Sequence, residues 1–312
     1  MTSALELQPA VTARAPAKVN LELGVGPRRD DGYHDLATVY QAVGLHDDVT
    51  AAPADEWGCT VTGRDAGSVP TDEGNLALVA ARLLAERSGA RQPVHLSIHK
   101  QIPVAGGMAG GSADAAAALV ACQELWSVAM ERDELDRLAA EVGSDVPFLL
   151  HGGTAVGSGR GELVTPVLAQ GTYHWVFVPV PGEGLSTPEV YAAFDARHEG
   201  RRVSEPTPGA EVMSAVRSGD PSALAAALSN DLQPDAVALQ PRIGEIIGAA
   251  LEFGALAAIV SGSGPTVAAL ASGQEAAIDL AVSLTASGAA EDVLRATGPV
   301  HGAQVLPTPR LT

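Results

Sequence analysis

The chain has 312 residues and a formal net charge of −18, and 46% of its residues are hydrophobic while 4% are aromatic. This length is sufficient for two domains with substantial cores, and the composition favours an α/β or α+β protein whose core consists of small aliphatic residues. The negative charge disfavours nucleic acid and anionic membrane surfaces as partners, because both carry charge of the same sign. Neither kind of partner is expected for this protein.

No membrane-spanning segment is expected from the sequence. The longest apolar runs are interrupted by charges such as Asp114 and Glu252, and they fall short of the roughly 20 apolar residues that a helical span requires. Residues 1–16 have neither a basic start nor a continuous apolar stretch, so a secretory signal is not expected. Cys59 and Cys122 lack partners at metal-binding spacing, which is typical of free thiols in a reducing cytoplasm. The sequence therefore predicts a cytoplasmic protein.

Hydrophobic periodicity predicts strands and helices in a mixed order along the chain. At residues 14–24, Val19, Leu21 and Leu23 alternate with polar residues, which indicates a strand with one buried face. The other predicted elements are an apolar segment at 36–45, two short strands within 48–61, a helix at 75–88, a strand at 94–99, helices at 112–126 and 133–142, a strand and turn at 152–162, a strand at 173–179, helices within 210–229 that break at 219–221, a helix at 235–253, a strand–turn–strand unit at 255–270, a helix at 275–287 and an edge strand at 303–306. A shift in composition at 163–172 suggests two domains, 1–168 and 169–312.

A glycine-rich loop lies between a predicted strand and a predicted helix. Four of the six residues from Gly106 to Gly111 are glycine, and Ser112 follows them. Such a loop can bring its backbone close to a ligand, and the free amides at a helix start favour an anion such as phosphate. The loop matches neither the P-loop, which requires lysine where Ser112 stands, nor the G-x-G-x-x-G dinucleotide pattern. A flexible connection before an ordinary helix remains the alternative.

The loop resembles the P-x-x-x-G-[LM]-[GA]-G-[SG]-S-[AS] motif of the GHMP small-molecule kinases, in which it wraps the triphosphate of ATP. Met108 and Ala109 stand where leucine and glycine are commoner in that superfamily. The resemblance implies an α+β, two-domain GHMP kinase fold, with a ribosomal-S5-like N-terminal domain and a ferredoxin-like C-terminal domain. It also implies ATP-binding residues, which are Lys100, Pro103, Val104, Ala105, Gly106, Gly107, Met108, Ala109, Gly110, Gly111, Ser112, Ala113 and, near the adenine, Asn75. An N-cap role explains Asn75 equally well.

Two segments near the N-terminus, AKVNLEL and RDDGYHDL, resemble one branch of this superfamily. Members of that branch phosphorylate the 2-hydroxyl of a cytidyl-linked methylerythritol in the non-mevalonate isoprenoid pathway. The resemblance implies that Lys18 is catalytic and that the substrate contacts are Asn20, Tyr33, His34 and, more weakly, Tyr40. Considered singly, Lys18 could be a solvated lysine, Tyr33 a loop aromatic and His34 a capping or core histidine.

Three further segments also resemble the superfamily. Gly143 to Phe148 matches G-[SA]-D-[VI]-P, which implies that Asp145 is the catalytic base, although an aspartate just before a first-turn proline is also good capping chemistry. The segment LSTPEVY implies that Thr187 and Tyr191 contact the substrate, while an ordinary capped helix with proline in its first turn is the alternative. The segment SGSGPT resembles the third motif, whose backbone lies against the glycine loop.

The resemblance implies ATP and Mg²⁺ as cofactors, with Ser112 and the loop amides holding the phosphates. It implies a small-molecule substrate and a monomer or weak homodimer. Lys18 and Lys100 are the only two lysines in the sequence, and arginine replaces a compact ammonium poorly. Two alternatives remain open at this point. One is another kinase of the superfamily acting on homoserine, mevalonate or a sugar, and the other is a nucleotide-binding regulator without turnover.

Overall fold

The computed structural model describes residues 10–181 and 185–307. Its strands are β1 (Val11–Arg28), β2 (His34–Pro53), β3 (Gly58–Gly63), β4 (Val94–Lys100), β5 (Thr154–Ser158), β6 (Leu163–Pro166), β7 (Tyr173–Val178), β8 (Ser229–Asn230), β9 (Ala257–Val260), β10 (Val267–Ala271), β11 (Leu294–Gly298) and β12 (Gln304–Val305). Its helices are α1 (Leu76–Ser88), α2 (Gly110–Leu125), α3 (Arg132–Val142), α4 (Val146–His151), α5 (Thr187–Arg197), α6 (Ala210–Ser218), α7 (Pro221–Ala227), α8 (Gln233–Leu239), α9 (Arg242–Glu252) and α10 (Gln274–Ala286).

The larger sheet is built on a long antiparallel pair of strands, β1 and β2. Its main strand order is β12-β1-β2-β4-β3, while β5 pairs with β2 and β6, and β8 pairs with β1. The alternation predicted for residues 14–24 places Val19 and Leu21 in the core, and both are fully buried. The β1–β2 register shifts between Asn20 and Glu22. Such irregularities redirect side chains, and they are frequent next to functional sites.

Helix α2 packs directly on this sheet because its residues are small. The run Ala115–Ala118 is fully buried, and the helix contacts β1, β2 and α1. Helix α1 begins at the predicted position, where the Asn75 side chain accepts hydrogen bonds from the backbone amides of Ala77 and Leu78. It ends at Gly89, whose φ of 75° is left-handed, as expected for a glycine that terminates a helix.

A smaller antiparallel sheet has the order β11-β7-β10-β9. One of its faces joins the core of the larger sheet through Trp175, Phe177 and Leu270. A buried hydrogen bond links the two sheets, since Trp175 Nε1 donates to Gln41 Oε1 at 3.0 Å. The other face packs with the helices of the second half of the chain in a separate apolar cluster that contains Val176 and Ile243.

Most predicted elements are confirmed, and the differences have local causes. The prediction of a single helix at 235–253 is wrong, because Gln240 and Pro241 separate α8 from α9. Proline lacks the amide needed inside a helix. The expected pair of short strands in 48–61 is instead the end of β2 followed by β3, and strand β11 was not predicted.

The two halves of the chain share the larger sheet. Strands β8 and β12 come from the second half, yet both pair with β1. The proposed division at 168/169 stays a prediction. Within residues 10–181 and 185–307, no helix is both long and apolar enough to cross a bilayer.

Candidate active site

Lys18 and Asp145 lie next to each other in the wall of one cavity. The Lys18 ammonium lies 3.8 Å from Asp145 Oδ2 and donates a hydrogen bond of 2.7 Å to Asn20 Oδ1. Lys18 and Asn20 share one face of β1 because side chains two residues apart in a strand point the same way. The Lys18 side chain is 6% exposed and that of Asp145 is 27% exposed. An ammonium and a carboxylate that meet in a partly closed cavity can hold and move a proton.

Asp145 is oriented by Tyr40 and not by helix capping. It precedes α4, but its side chain makes no capping hydrogen bond. Instead, its Oδ1 accepts a hydrogen bond of 3.1 Å from the Tyr40 hydroxyl. Burial, followed by the charge of Asp145, raises the pKa of Tyr40 well above its ordinary value. Tyr40 therefore remains a protonated donor, and the structure does not support a capping role for the Asp145 side chain.

The glycine loop leads into the free N-terminus of α2. Ala109 precedes the helix with a left-handed φ of 60° and makes no side-chain cap. The Met108 side chain is fully buried in the core, and its carbonyl accepts a hydrogen bond of 3.3 Å from the Lys18 backbone amide. The loop is therefore anchored to β1 beside the lysine. The first amides of α2 lie where they can bind an anion.

The predicted third motif packs against this loop, as expected. The Ser261 hydroxyl donates to the Gly107 carbonyl at 3.1 Å, and the Thr266 amide donates to the Gly106 carbonyl at 3.3 Å. A Cβ at Gly107 would overlap the Ser261 carbonyl oxygen, and the φ of Gly107 is +74°. Glycine is required at this position for both reasons.

The opposite end of the cavity is aromatic. His34 is buried and stacks on Tyr191 with ring centroids 5.1 Å apart. Its Nε2 forms a hydrogen bond of 2.9 Å with Asp195 Oδ1. Burial raises the pKa of Tyr191, with a smaller contribution from Asp145. By contrast, Tyr33 is 53% exposed, so part of its side chain is accessible to a ligand.

The cavity has a volume of about 720 Å³. Most of the predicted site residues line it, namely Lys18, Asn20, Tyr33, His34, Tyr40, Ala105, Gly106, Gly107, Ala109, Gly110, Gly111, Ser112, Asp145, Thr187 and Tyr191. Thr187 also shares a hydrogen bond of 2.9 Å with Ser263 of the third motif. The predicted residues Pro103, Val104, Met108, Ala113, Asn75 and Lys100 are not part of the lining.

Lys100 lies outside the main cavity and borders a smaller one, so its predicted contact with ATP stays a prediction. Its ammonium donates to Asp47 Oδ2 at 2.5 Å, to Asp114 Oδ2 at 2.6 Å and to the Gly110 carbonyl at 3.1 Å. These three bonds use all three protons of the ammonium, and the side chain is 1% exposed. The position of Lys100 in the sequence, three residues before Pro103, gave no sign of its two carboxylate partners. The geometry gives Lys100 a structural role beneath the loop.

Asn75 lines a smaller side cavity of about 260 Å³, together with Val104 and Leu76. This side cavity shares Ala105 and Gly111 with the main one. The Asn75 side chain caps α1 and donates to the Pro70 carbonyl at 2.7 Å. The capping interpretation is therefore confirmed, and contact with adenine stays a prediction.

Arg160 is a cavity residue that sequence reasoning missed. Its guanidinium carbon lies 5.1 Å from the centre of the Tyr33 ring, and it lines the main cavity. The segment GSGRGE was interpreted only as a tight turn. A lone arginine between glycines, soon after Asp145 in the chain, was the available signal.

No dedicated metal cage is found in the described part of the chain, 10–181 and 185–307, where His, Cys, Asp and Glu do not gather in groups of three or more. Magnesium bound with a nucleotide usually takes few protein ligands and several phosphate oxygens. The half-buried Ser112 hydroxyl beside the loop amides is compatible with that mode of binding.

Comparison with known proteins places this arrangement in a family. The family model described as the GHMP kinases N terminal domain matches residues 75–153, and the model described as GHMP kinases C terminal matches residues 212–290. A 4-diphosphocytidyl-2-C-methyl-D-erythritol kinase from Kineococcus radiotolerans is 60% identical over 279 residues, which cover 88% of this chain and 86% of the relative. A kinase of the same name from Streptomyces avermitilis is 54% identical over 297 residues, covering 95% of this chain and 100% of the relative.

A solved structure is also similar to this chain. The crystal structure of a 4-(cytidine 5'-diphospho)-2C-methyl-D-erythritol kinase matches with a TM-score of 0.74 and 33% identity, covering 92% of this chain and 98% of that chain. The fold and the glycine-loop cavity thus define a small-molecule kinase. The chain belongs to the GHMP kinase family, and the predicted fold class and family are confirmed.

Proposed function

We propose that this chain transfers the γ-phosphoryl group of ATP to the 2-hydroxyl of 4-diphosphocytidyl-2-C-methyl-D-erythritol. The observation that carries the proposal is the Lys18–Asp145 pair, separated by 3.8 Å, between a loop suited to phosphate and an aromatic cavity end. Relatives at 60% and 54% identity bear the name of this kinase. The presence of both Lys18 and Asp145 also favours an enzyme over a regulatory protein without turnover.

In this mechanism Asp145 orients the acceptor hydroxyl and accepts its proton. The hydroxyl oxygen forms a bond to the γ-phosphorus while the bond from that phosphorus to the β-phosphate oxygen breaks, and ADP leaves. Phosphoryl transfer has a loose transition state, so positioning and charge stabilisation are the main contributions of the protein. Lys18 stabilises the negative charge that develops on the transferred group. Tyr40 holds the carboxylate in place through its hydrogen bond of 3.1 Å.

The glycine loop and the N-terminus of α2 hold the phosphates of ATP through backbone amides. Ser112 lines the cavity beside these amides, and its hydroxyl would hold Mg²⁺ together with phosphate oxygens. When bound, the ion neutralises phosphate charge, which matters in a protein of net charge −18. The side cavity lined by Asn75 and Val104 accommodates the adenine of ATP.

The aromatic end of the cavity receives the cytidyl group of the acceptor. Tyr33 offers a partly exposed side chain, whereas His34 is held by Asp195 and Tyr191. Arg160 supplies a cation on the same side, which suits an acceptor that carries a diphosphate.

We also infer that the protein acts in the cytoplasm as a monomer or weak homodimer. Both cysteines are buried free thiols, which agrees with a reducing compartment.

Acceptor-dependent ADP release by the purified chain with Mg-ATP tests the proposal. The acceptors to compare are 4-diphosphocytidyl-2-C-methyl-D-erythritol, homoserine, mevalonate and a sugar. We expect release with the cytidyl-linked acceptor to exceed that with each of the others by orders of magnitude. Faster release with another acceptor would transfer the assignment to that substrate, and no release with any acceptor would favour a regulatory protein.

A further inference from the structure

A chain of buried hydrogen bonds extends from Lys18 away from the cavity. The Lys18 ammonium donates to Asn20 Oδ1 at 2.7 Å, Asn20 Nδ2 donates to Thr38 Oγ1 at 2.8 Å, and Thr38 Oγ1 donates to the Glu22 carbonyl at 2.6 Å. Thr38 is fully buried and Asn20 is 2% exposed. Thr38 is absent from the cavity lining, so it does not contact a bound substrate directly.

The donor and the acceptor of every hydrogen bond in this series follow from the chemical groups involved. The Glu22 carbonyl can only accept, so the single proton of the Thr38 hydroxyl is used there. Thr38 must therefore accept from Asn20, and only the amide nitrogen of Asn20 can donate. The amide oxygen consequently faces Lys18, whose ammonium can only donate. The hydrogen bonds to Lys18 and to Thr38 therefore require the same orientation of the Asn20 amide.

The backbone supports this arrangement. Asn20 lies opposite Tyr40 in the β1–β2 ladder, and the register shift falls between Asn20 and Glu22. The shift accompanies the contact between the Glu22 carbonyl and the Thr38 side chain. Two residues further along β2, Tyr40 holds Asp145. The same strand therefore holds both partners of the charged pair, one through Thr38 and the other through Tyr40.

We propose that Thr38 is a positioning residue for phosphoryl transfer, since its hydroxyl fixes the Asn20 amide that holds the Lys18 ammonium toward Asp145. The proposal rests on the proposed kinase function and deepens it. Without the hydroxyl, Asn20 Nδ2 loses its acceptor, and the amide is held only by the ammonium that it positions. The ammonium is then fixed less firmly toward Asp145.

Replacement of the hydroxyl by a methyl group tests this role. We expect Thr38→Val to lower kcat about tenfold or more, which corresponds to the loss of one positioning hydrogen bond, while the KM for ATP stays within about threefold of that of the wild type. Thr38→Ser keeps the hydroxyl and should restore kcat. Thr154→Val is the matched control, because Thr154 is a buried threonine in the same sheet and accepts only a long bond of 3.5 Å from Gln41. This control should leave kcat unchanged.

A double-mutant cycle separates positioning from a general structural effect. If Thr38 acts through Asn20, then Thr38→Val should cause no further loss of kcat in an Asn20→Ala background. A full additional loss in that background overturns the proposal, as does a folded Thr38→Val variant with kcat within twofold of the wild type. Thr38→Ala replaces valine in the cycle if the valine variant does not fold.

A readout without substrate keeps this inference separate from the assigned reaction. The side-chain amide protons of Asn20 should exchange slowly in the wild type and in Thr38→Ser, and rapidly in Thr38→Val, as measured by NMR. Equal exchange in all three proteins overturns the positioning role. Failure of the wild type to release ADP with the cytidyl-linked acceptor instead overturns the proposed function and leaves the exchange test valid.

Discussion

At the scale of single residues, the candidate site is a small set of polar side chains whose roles follow from their partners. Asp145 has one oxygen bound to Tyr40 and the other 3.8 Å from Lys18. Asn20 supports the lysine from behind. Each of these groups lies on the larger sheet or at the start of α4, so regular secondary structure holds the charged pair in place.

Replacement of Asp145 by asparagine should abolish most turnover. Asparagine keeps the shape but cannot accept the hydroxyl proton, so we expect Asp145→Asn to lower kcat by about 10² to 10³-fold. Nucleotide affinity should change little, because the loop amides are untouched. Steady-state kinetics with nucleotide titration check both effects. Asp220→Asn serves as the control, since Asp220 caps α7 and asparagine caps equally well. An unchanged kcat in Asp145→Asn would remove Asp145 from the catalytic role.

Removal of the Tyr40 hydroxyl should have a smaller effect of the same kind. Tyr40→Phe frees one oxygen of Asp145, and we expect kcat to fall about fivefold to tenfold, as for one lost hydrogen bond. Tyr173→Phe removes another buried hydroxyl, which donates to the Ala215 carbonyl at 3.3 Å outside the cavity. That control should lower stability without lowering kcat. Equal kcat for Tyr40→Phe and wild type would argue against the orienting role.

At the scale of elements, the glycine loop depends on contacts from several other segments. Asp47 Oδ1 accepts hydrogen bonds from the amides of Gln101 and Ile102 just before the loop. Lys100 binds the Gly110 carbonyl just after it. The third motif supports the middle through Ser261. The loop therefore has a defined shape before any nucleotide arrives, which lowers the entropic cost of binding.

A methyl group at Gly107 should disrupt this arrangement. In Gly107→Ala the Cβ overlaps the Ser261 carbonyl, and the left-handed backbone adds strain, so we expect a loss of about 3 kcal/mol in stability or an equivalent rearrangement of the loop. Affinity for ATP should fall with it, as measured by calorimetric titration. Gly248→Ala is the control, because that site in α9 has no atom within 4 Å of an added Cβ. Unchanged ATP affinity in Gly107→Ala would contradict the role of the loop.

At the scale of the whole molecule, a buried charge cluster joins β2, β4 and α2. Lys100 lies between Asp47 and Asp114, and all three side chains are almost fully buried. Burial raises the pKa of Asp114 to about 8, despite the opposing charge of Lys100. A proton on Asp114 lowers the negative charge of the cluster. A buried cluster with unbalanced charge would be costly.

This cluster predicts a dependence of stability on pH. Between pH 4 and pH 8 the folded chain retains a proton on Asp114 that the unfolded chain, with a pKa near 3.8, releases. The contribution of Asp114 to the free energy of unfolding should therefore decrease as pH rises through this window and level off above it. Asp114→Asn cannot titrate, so its stability relative to wild type should increase across the same range. Urea unfolding at several pH values, without nucleotide, measures the difference. A constant difference from pH 4 to pH 8 would contradict the assignment.

The sequence by itself determined the parts of this protein that depend on local order. Alternating residues defined β1 and the glycines defined the loop before α2, because strand faces and turns follow from neighbouring residues. The family resemblance predicted that Lys18, Asp145 and Thr187 belong to one site, and all three line the main cavity. The cap at Asn75 is of the same kind.

Only the tertiary structure decided the contacts between distant segments. It paired Lys100 with two carboxylates, brought Arg160 next to Tyr33, and connected Thr38 through Asn20 to Lys18. It also returned β8 and β12 to the larger sheet. These outcomes depend on burial and on pairing between segments far apart in the chain, and periodicity along a single segment carries no information about either.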